Sequence, residues 1–212
     1  MLLLETRKGD REGRRLKEPL RLIFVCIGNR NRSPFAEFFF SDLISERDKM
    51  LVDRIRVTSA GFIPKKMKNK MAEININPPE PFFGRPIAES TRVALLSHDI
   101  IVPNEWRTSP LTPEIVDEAD MIIAVLPDQK KDLLELYPKI KAKIFTIREI
   151  SRWDGYLVQE DYGFKDIPED NTIWNYVEEN PDYVSNILYE MERMLVRAYP
   201  HILEHLGLKI ES

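Results

Sequence analysis

The feature that most constrains this chain is an apolar run followed at once by a polar loop and a helix start. Residues 20–26 read LRLIFVC, and they include the Leu, Ile, Phe and Val side chains of a strand buried on both faces. Residues 33–44 begin with Ser and Pro, which suit a first helical turn, and continue as an apolar helix. A strand of this kind is typical of the centre of a parallel sheet, so an α/β fold is predicted.

The rest of the chain alternates between strand and helix patterns. Strands are predicted at residues 54–59, 121–126 and 143–147, and helices at residues 87–96, 129–136 and 183–203. This alternation predicts a parallel sheet covered by helices on both faces. Residues 61–86 and 151–180 are predicted to be long irregular segments, which in a compact domain are usually functional or disordered.

Length and charge set the class of protein. A chain of 212 residues, 43% of them hydrophobic, suits one domain, placed at residues 20–212 after a charged amino-terminal arm at residues 1–19. No apolar run is long enough to span a membrane, and a cytoplasmic location is expected. A net charge of −4 argues against nucleic acid as a partner.

Cys26 is the single cysteine, so no internal disulfide can form and a cysteine-rich zinc site is implausible. It ends the first strand, at the edge where open α/β sheets bind ligands. Five residues separate Cys26 from Arg32, and a loop of this length can turn its backbone N–H groups inward beside the helix N-terminus. Such a loop favours a tetrahedral oxyanion, with inorganic phosphate as the simplest ligand.

The residue types in this loop suit nucleophilic phosphoryl transfer. Arg32 can clamp two phosphate oxygens, while the loop N–H groups and the Ser33 hydroxyl favour thiolate over thiol at Cys26. Gly28 allows close approach of the backbone, and Asn29 tolerates unusual dihedrals while its side chain bridges the loop. The residues expected to contact substrate are Ile27, Gly28, Asn29, Arg30, Asn31 and Ser33.

The string FVCIGNRNRSPFAE at residues 24–37 resembles the signature V-C-x-G-N-x-C-R-S-P-x-A-E of the low-molecular-weight protein tyrosine phosphatase family. The segments at residues 57–61, 85–100 and 111–125 resemble later parts of the family in the same order. The resemblance implies a flavodoxin-like three-layer sandwich with a central four-stranded parallel sheet. It also implies protein tyrosine phosphatase activity through a phosphocysteine intermediate, on a phosphorylated protein substrate, without a metal or other cofactor.

This chain departs from the family pattern in the loop and in the general acid. Asn31 stands where the family commonly has a second cysteine, and Arg30 is an unusual basic residue there. The family supplies the leaving-group proton from an Asp-Pro dipeptide, which this sequence lacks. Asp170 is the first candidate for the acid and Asp166 the alternative. The remaining candidates are Asp161, Glu169 and Asp182.

Several functions remain open. A phosphate or phosphoprotein binding module without turnover is compatible with the missing Asp-Pro. Phosphoarginine phosphatases of this type carry Thr directly after the nucleophile, whereas Ile27 suits an aromatic ring. A phosphoserine phosphatase with the same loop carries Met where this chain has Pro34. Arsenate reduction on this fold needs further cysteines, so the single cysteine argues strongly against it.

Three further groups of residues can be interpreted either as surface or packing positions or as functional ones. The segment after the second strand carries Lys65, Lys66, Lys68 and Lys70. These lysines are either solvated or steer an acidic phosphorylated partner, and the charged arm at residues 1–19 would then reinforce the steering. Aromatic residues between Trp153 and Tyr176 are predicted to pack an enlarged loop. The three histidines show no metal-ligand spacing and are predicted at surface or packing positions: His98, His201 and His205.

Overall fold

The computed structural model describes residues 18–73, 83–153 and 181–208. Its sheet has four strands, β1 (Leu20–Cys26), β2 (Ile55–Gly61), β3 (Met121–Ala124) and β4 (Ile144–Thr146), in the order β2-β1-β3-β4. Every neighbouring pair is parallel. The predicted four-stranded flavodoxin-like sheet is therefore confirmed.

Seven helices accompany the sheet in the described residues. They are α1 (Arg32–Arg47), α2 (Lys65–Glu73), α3 (Glu89–Leu96), α4 (Pro113–Glu118), α5 (Pro127–Leu136), α6 (Ile147–Ser151) and α7 (Pro181–His205). Short 3-10 turns lie at Lys49–Leu51 and Pro138–Ile140.

The central strand β1 distributes its side chains to both faces of the sheet. Phe24 and Cys26 lie in a large buried cluster with α1 and α7. Ile23 and Val25 lie in a second cluster with residues of α4 and α5. Since successive residues of a strand point to opposite faces, the apolar run of β1 serves two cores at once, and the predicted three-layer arrangement is confirmed.

The prediction of an irregular segment over residues 61–86 is wrong in part, because α2 forms there. Met67 and Met71 are four residues apart, and the buried Met71 and the partly buried Met67 join Ile63 in one apolar cluster. The backbone N–H of Lys65 donates to the Asp132 carboxylate of α5, which satisfies one of the free donors at the start of the helix. The lysines at 65, 66, 68 and 70 therefore belong to a helix.

Two short helices were not predicted, and both begin at threonine caps. The Thr112 hydroxyl accepts a hydrogen bond from the backbone N–H of Ile115, at 3.4 Å, where α4 begins. Thr146 and Glu149 form a reciprocal capping box, so β4 ends at Thr146 and α6 begins at the next residue. The predicted strand over residues 143–147 thus ends one residue early.

Several sequence predictions concern residues outside the described ranges. The arm at residues 1–19 lies outside them except for its last two residues, and the general-acid candidates Asp170 and Asp166 lie outside them entirely. Of the aromatic residues predicted to pack the second long segment, Trp153 is described, and the guanidinium of Arg193 lies 5.1 Å from its ring centroid. Among the described residues, no helix is long and apolar enough to span a membrane.

Candidate active site

The polar loop after β1 lies at the point where the sheet connections change direction. The chain passes from β1 to β2 on one side and reaches β3 on the other side of β1. Cys26 pairs in register with Gly61, the last residue of β2, and α1 begins at Arg32. In open α/β sheets, ligands bind outside the carboxyl ends of the strands at such a switch point.

The Cys26 thiol lies at the bottom of this loop with a hydroxyl directed at it. Cys26 is 3% exposed, and its Sγ is 3.0 Å from the Oγ of the fully buried Ser33. The Ser33 hydroxyl is also 3.4 Å from the carbonyl oxygen of Ala60. A hydroxyl donor at this distance stabilises a thiolate in preference to a thiol.

Asn29 fixes the direction of that donor. Its side-chain N–H groups donate to Ser33 Oγ at 3.0 Å and to Ser59 Oγ at 2.7 Å, and its Oδ1 accepts the backbone N–H of Ser109 at 2.9 Å. Because Ser33 Oγ already accepts a hydrogen bond from Asn29, its own proton is available to Cys26. Asn29 reaches these partners from a left-handed backbone, with φ of 52°, a conformation that Asn tolerates better than most residues.

The network ends at a buried carboxyl group on α1. Ser59 Oγ donates to Glu37 Oε2 at 2.5 Å. Burial raises the pKa of Glu37 from 4.5 to about 7, and hydrogen bonds from Ser59 and Trp106 offset only part of this effect. Beside Glu37 and Ser59 lies a cavity of about 370 Å³, and none of residues 26–32 lines it. The network therefore connects the loop, through Asn29, to the lining of this cavity.

Helix α3 holds the second half of the loop. The backbone N–H of Ala88 donates to the carbonyl oxygen of Arg30 at 3.1 Å. The Thr91 hydroxyl donates to Asn31 Oδ1 at 3.2 Å, and the backbone N–H of Phe35 donates to the Asn31 carbonyl at 3.0 Å. Asn31 is thus a structural link at the position where the family commonly has a second cysteine.

The side of the loop next to the nucleophile is apolar. Ile27 packs with Ile63 and Met71, which ties the loop to α2. Gly61 allows this close approach, because a Cβ atom there would lie 2.5 Å from the Phe83 ring and 2.9 Å from the Ile27 carbonyl oxygen. Any side chain at this position would displace either the ring or the loop backbone.

The loop retains backbone donors for a ligand. The N–H groups of Gly28, Asn29 and Asn31 donate to no acceptor within residues 18–73, 83–153 and 181–208. Gly28 and Asn29 are buried, and a buried N–H group without a partner costs free energy. These donors precede a helix of 16 residues whose N-terminus adds partial positive charge. The arrangement suits an oxyanion.

The structure brings the loop residues predicted from the sequence together between β1 and α1. Arg32, the predicted clamp, is half-buried as the first residue of α1, and Arg30 is half-buried in the loop. The supporting residues Glu37, Ser59, Thr91 and Ser109 were given no role from the sequence. Glu37, Ser59 and Thr91 belong to segments that resemble the family, and this resemblance was the available signal. Ser109 becomes a neighbour of the loop only through the fold.

Comparison with known proteins agrees with this arrangement. The family model for low molecular weight phosphotyrosine protein phosphatase matches residues 21–77. A protein-arginine-phosphatase of Bacillus subtilis (strain 168) is 30% identical over 130 residues, covering 60% of this chain and 70% of the relative. The low molecular weight protein-tyrosine-phosphatase PtpA of Staphylococcus saprophyticus is 31% identical over 128 residues, covering 60% of this chain and 69% of the relative.

Solved structures share the fold. The YwlE arginine phosphatase from Geobacillus stearothermophilus matches with a TM-score of 0.58 at 23% identity, over 92% of this chain and 100% of that one. A Cys-to-Ser mutant of YwlE arginine phosphatase with a phosphorylated active site serine matches with a TM-score of 0.60 at 21% identity. The match covers 87% of this chain and 96% of that one. The two curated relatives, together with the family model, show that the chain belongs to the low molecular weight phosphotyrosine protein phosphatase family.

Proposed function

We propose that this chain is a cysteine-dependent phosphomonoesterase that removes phosphate from phosphotyrosine in proteins. The observation that carries the proposal is the Cys26 thiol, held 3.0 Å from the Ser33 hydroxyl beneath a loop whose backbone N–H groups at Gly28, Asn29 and Asn31 have no acceptor among the described residues. The loop supplies both a nucleophile and the donors that bind the group under attack.

The reaction proceeds in two displacements at phosphorus. The Cys26 thiolate forms a bond to phosphorus while the bond from phosphorus to the ester oxygen breaks, and the departing oxygen takes a proton from a general acid. Water then attacks phosphorus, the bond from sulfur to phosphorus breaks, and inorganic phosphate leaves. The same acid, now a carboxylate, takes the proton from the water. In the related YwlE mutant, the active site serine carries phosphate, which supports a phosphoenzyme at this position.

Loop residues stabilise the charge that builds on the phosphoryl oxygens. The backbone N–H groups of Gly28, Asn29 and Asn31 bind these oxygens, and Arg32 clamps two of them with its planar guanidinium. Ser33 stabilises the thiolate both as the nucleophile and when it leaves in the second step. Asp170 supplies the proton, with Asp166 as the alternative.

The choice of phosphorylated residue is the finer part of the proposal. Ile27 gives the loop an apolar side, which suits the ring of phosphotyrosine. The Bacillus subtilis relative is an arginine phosphatase, so phosphoarginine is the second candidate. Peptides of one sequence that carry either phosphotyrosine or phosphoarginine distinguish the two, and a higher kcat/KM for phosphoarginine would overturn the proposed preference.

Release of phosphate from para-nitrophenyl phosphate tests the reaction itself. The unsubstituted chain is expected to turn over, while Cys26→Ser loses turnover and still binds vanadate because the loop donors remain. Arg32→Lys is expected to impair both binding and turnover, since a point charge cannot replace a two-pronged clamp. A chain that binds phosphate without releasing it from the ester would be a binding module instead.

The general acid is identified by how strongly the rate of hydrolysis depends on the leaving group when the acid is replaced. Asp170→Asn is expected to slow the release of poor leaving groups much more than that of para-nitrophenol, because only poor leaving groups need a proton in the transition state. Asp166→Asn is the matched control. If the dependence steepens only in the Asp166 variant, the assignment is reversed.

A further inference from the structure

A strongly basic helix lies beside the loop of residues 26–32, named here the proposed phosphate loop. The proposed chemistry does not use the charge of this helix. α2 reads KKMKNKMAE and carries four lysines against one glutamate. The side chains of Lys65, Lys66 and Lys68 are exposed. None of these three forms an ion pair with another residue in the described part of the chain.

The buried face of α2 fixes its position relative to the nucleophile. Met71 is 1% exposed and packs in one cluster with Ile27, the residue that follows Cys26. Because a helix with its side chains is about 10 Å across, lysines elsewhere on α2 lie within reach of residues that flank a phosphorylated side chain in the loop. The charge is therefore adjacent to the site.

Among the described residues, an acidic group lies at each end of α2. The Asp132 carboxylate accepts the backbone N–H of Lys65 at the start of α2, and Glu73 is the last residue of α2. Lys65 and Lys68 are three residues apart, so their side chains lie on one face of the helix. The Nζ of Lys68 is 5.8 Å from the centroid of the Phe62 ring, a contact that leaves its charge available to a partner.

We propose that the basic ridge formed by Lys65 and Lys68, which share one face of α2, binds acidic side chains next to the phosphorylated residue of the protein substrate. This inference rests on the proposed function and adds the substrate class, a phosphorylated segment rich in Asp or Glu. Each pair of opposite charges at ~8 Å in water changes affinity by about twofold. Two lysines facing two or three carboxylates then give a preference of about fivefold, which salt weakens.

Two phosphotyrosine peptides of one length test the ridge, one with Glu at the flanking positions and the other with Gln. The ratio of their kcat/KM values is expected to be about five in favour of Glu at low ionic strength and to approach one at 0.5 M salt, where the Debye length is roughly 4 Å. In the double variant Lys65→Glu with Lys68→Glu, the ratio is expected to fall below one.

The matched control carries the same change of charge at the opposite edge of the sheet. Lys139 and Lys141 are exposed just before β4 begins, at the amino end of the strands, whereas the phosphate loop lies at the carboxyl end. The double variant Lys139→Glu with Lys141→Glu is expected to keep the ratio of the unsubstituted chain. An equal loss of preference in both double variants would show that net charge acts, and would overturn the ridge.

Failure of the ridge and failure of the proposed function give different results. If para-nitrophenyl phosphate and the peptides are hydrolysed but the two peptides have equal kcat/KM values, the ridge is overturned and the function stands. If neither peptide is hydrolysed, the proposed tyrosine activity fails. The ridge is then judged by fluorescence anisotropy with Cys26→Ser, where equal or undetectable binding of the two peptides overturns it.

Discussion

Glu37 is expected to make the stability of this protein depend on pH. Its carboxyl group is largely buried behind the phosphate loop and accepts the Ser59 hydroxyl at 2.5 Å. Burial raises its pKa from 4.5 to about 7. Between these values the unfolded chain has released a proton that the folded chain still holds. The free energy of unfolding therefore falls as pH rises through this interval.

The magnitude follows from the displacement of the pKa. The interval between 4.5 and about 7 corresponds to about 3 kcal/mol of stability. The loss is absent below about pH 4, where both states are protonated, and complete above about pH 8, where both are ionised. In Glu37→Gln the side chain is neutral at every pH and its amide oxygen can still accept the Ser59 hydroxyl, so this contribution disappears.

Urea unfolding at pH 5 and pH 8, followed by tryptophan fluorescence, measures the effect. From pH 5 to pH 8, the free energy of unfolding of Glu37→Gln is expected to rise by about 2.5 kcal/mol relative to that of the unsubstituted chain, because a small part of the loss has already occurred at pH 5. Glu135 is exposed on α5, and Glu135→Gln is the control that should follow the unsubstituted chain. If Glu37→Gln and the unsubstituted chain show parallel pH dependence, the carboxyl group is ionised in the folded protein and the reasoning fails.

Three further predictions concern the loop and its surroundings. Ser33→Ala removes the hydroxyl 3.0 Å from Cys26 Sγ, and kcat is expected to fall about tenfold to a hundredfold, the value of one hydrogen bond to a charged group; an unchanged kcat would show that this donor is dispensable. Gly61→Ala places a methyl group 2.5 Å from the Phe83 ring and is expected to cost about 1–3 kcal/mol in urea unfolding; unchanged stability would mean that the ring moves freely. Peroxide is expected to inactivate the chain with poor recovery by dithiothreitol, because Asn31 offers no thiol to capture a sulfenic acid at Cys26. Intact-mass measurement should show added oxygen and no intramolecular disulfide, and full recovery after long exposure would contradict this.

The sequence alone was enough to predict the sheet and the polar loop that follows its central strand. The apolar run at residues 20–26 serves two cores, and its length and residue types favour only a central strand. The loop residues from Cys26 to Ser33 are contiguous, so their chemistry could be proposed before their positions were known. Local patterns of this kind need no information about distant parts of the chain.

Helix α2 could not be predicted with the same security, because its stability comes from tertiary contacts. Residues 65–73 are mostly lysine and asparagine with two methionines, a pattern that also suits a solvated loop. The segment forms a helix because Met71 packs with Ile27 and Ile63, and because the Asp132 carboxylate of α5 accepts a backbone N–H of the first turn. Only that placement brings the lysines of the basic ridge close to the loop that contains Cys26.

The support behind the nucleophile was decided by the tertiary structure as well. Ser59 is 30 residues from Asn29, and Ser109 is 80 residues from it, yet both contact the Asn29 side chain. The parallel pairing of β1 with β2 brings Ser59 to Asn29, and the hydrogen bond from the Gly61 N–H to the Ser109 carbonyl places Ser109 beside them. Burial then raises the pKa of Glu37. The sequence by itself determined which residue types could react, since that depends on local chemistry. Their partners and protonation depend on distances and burial, which exist only in the folded chain.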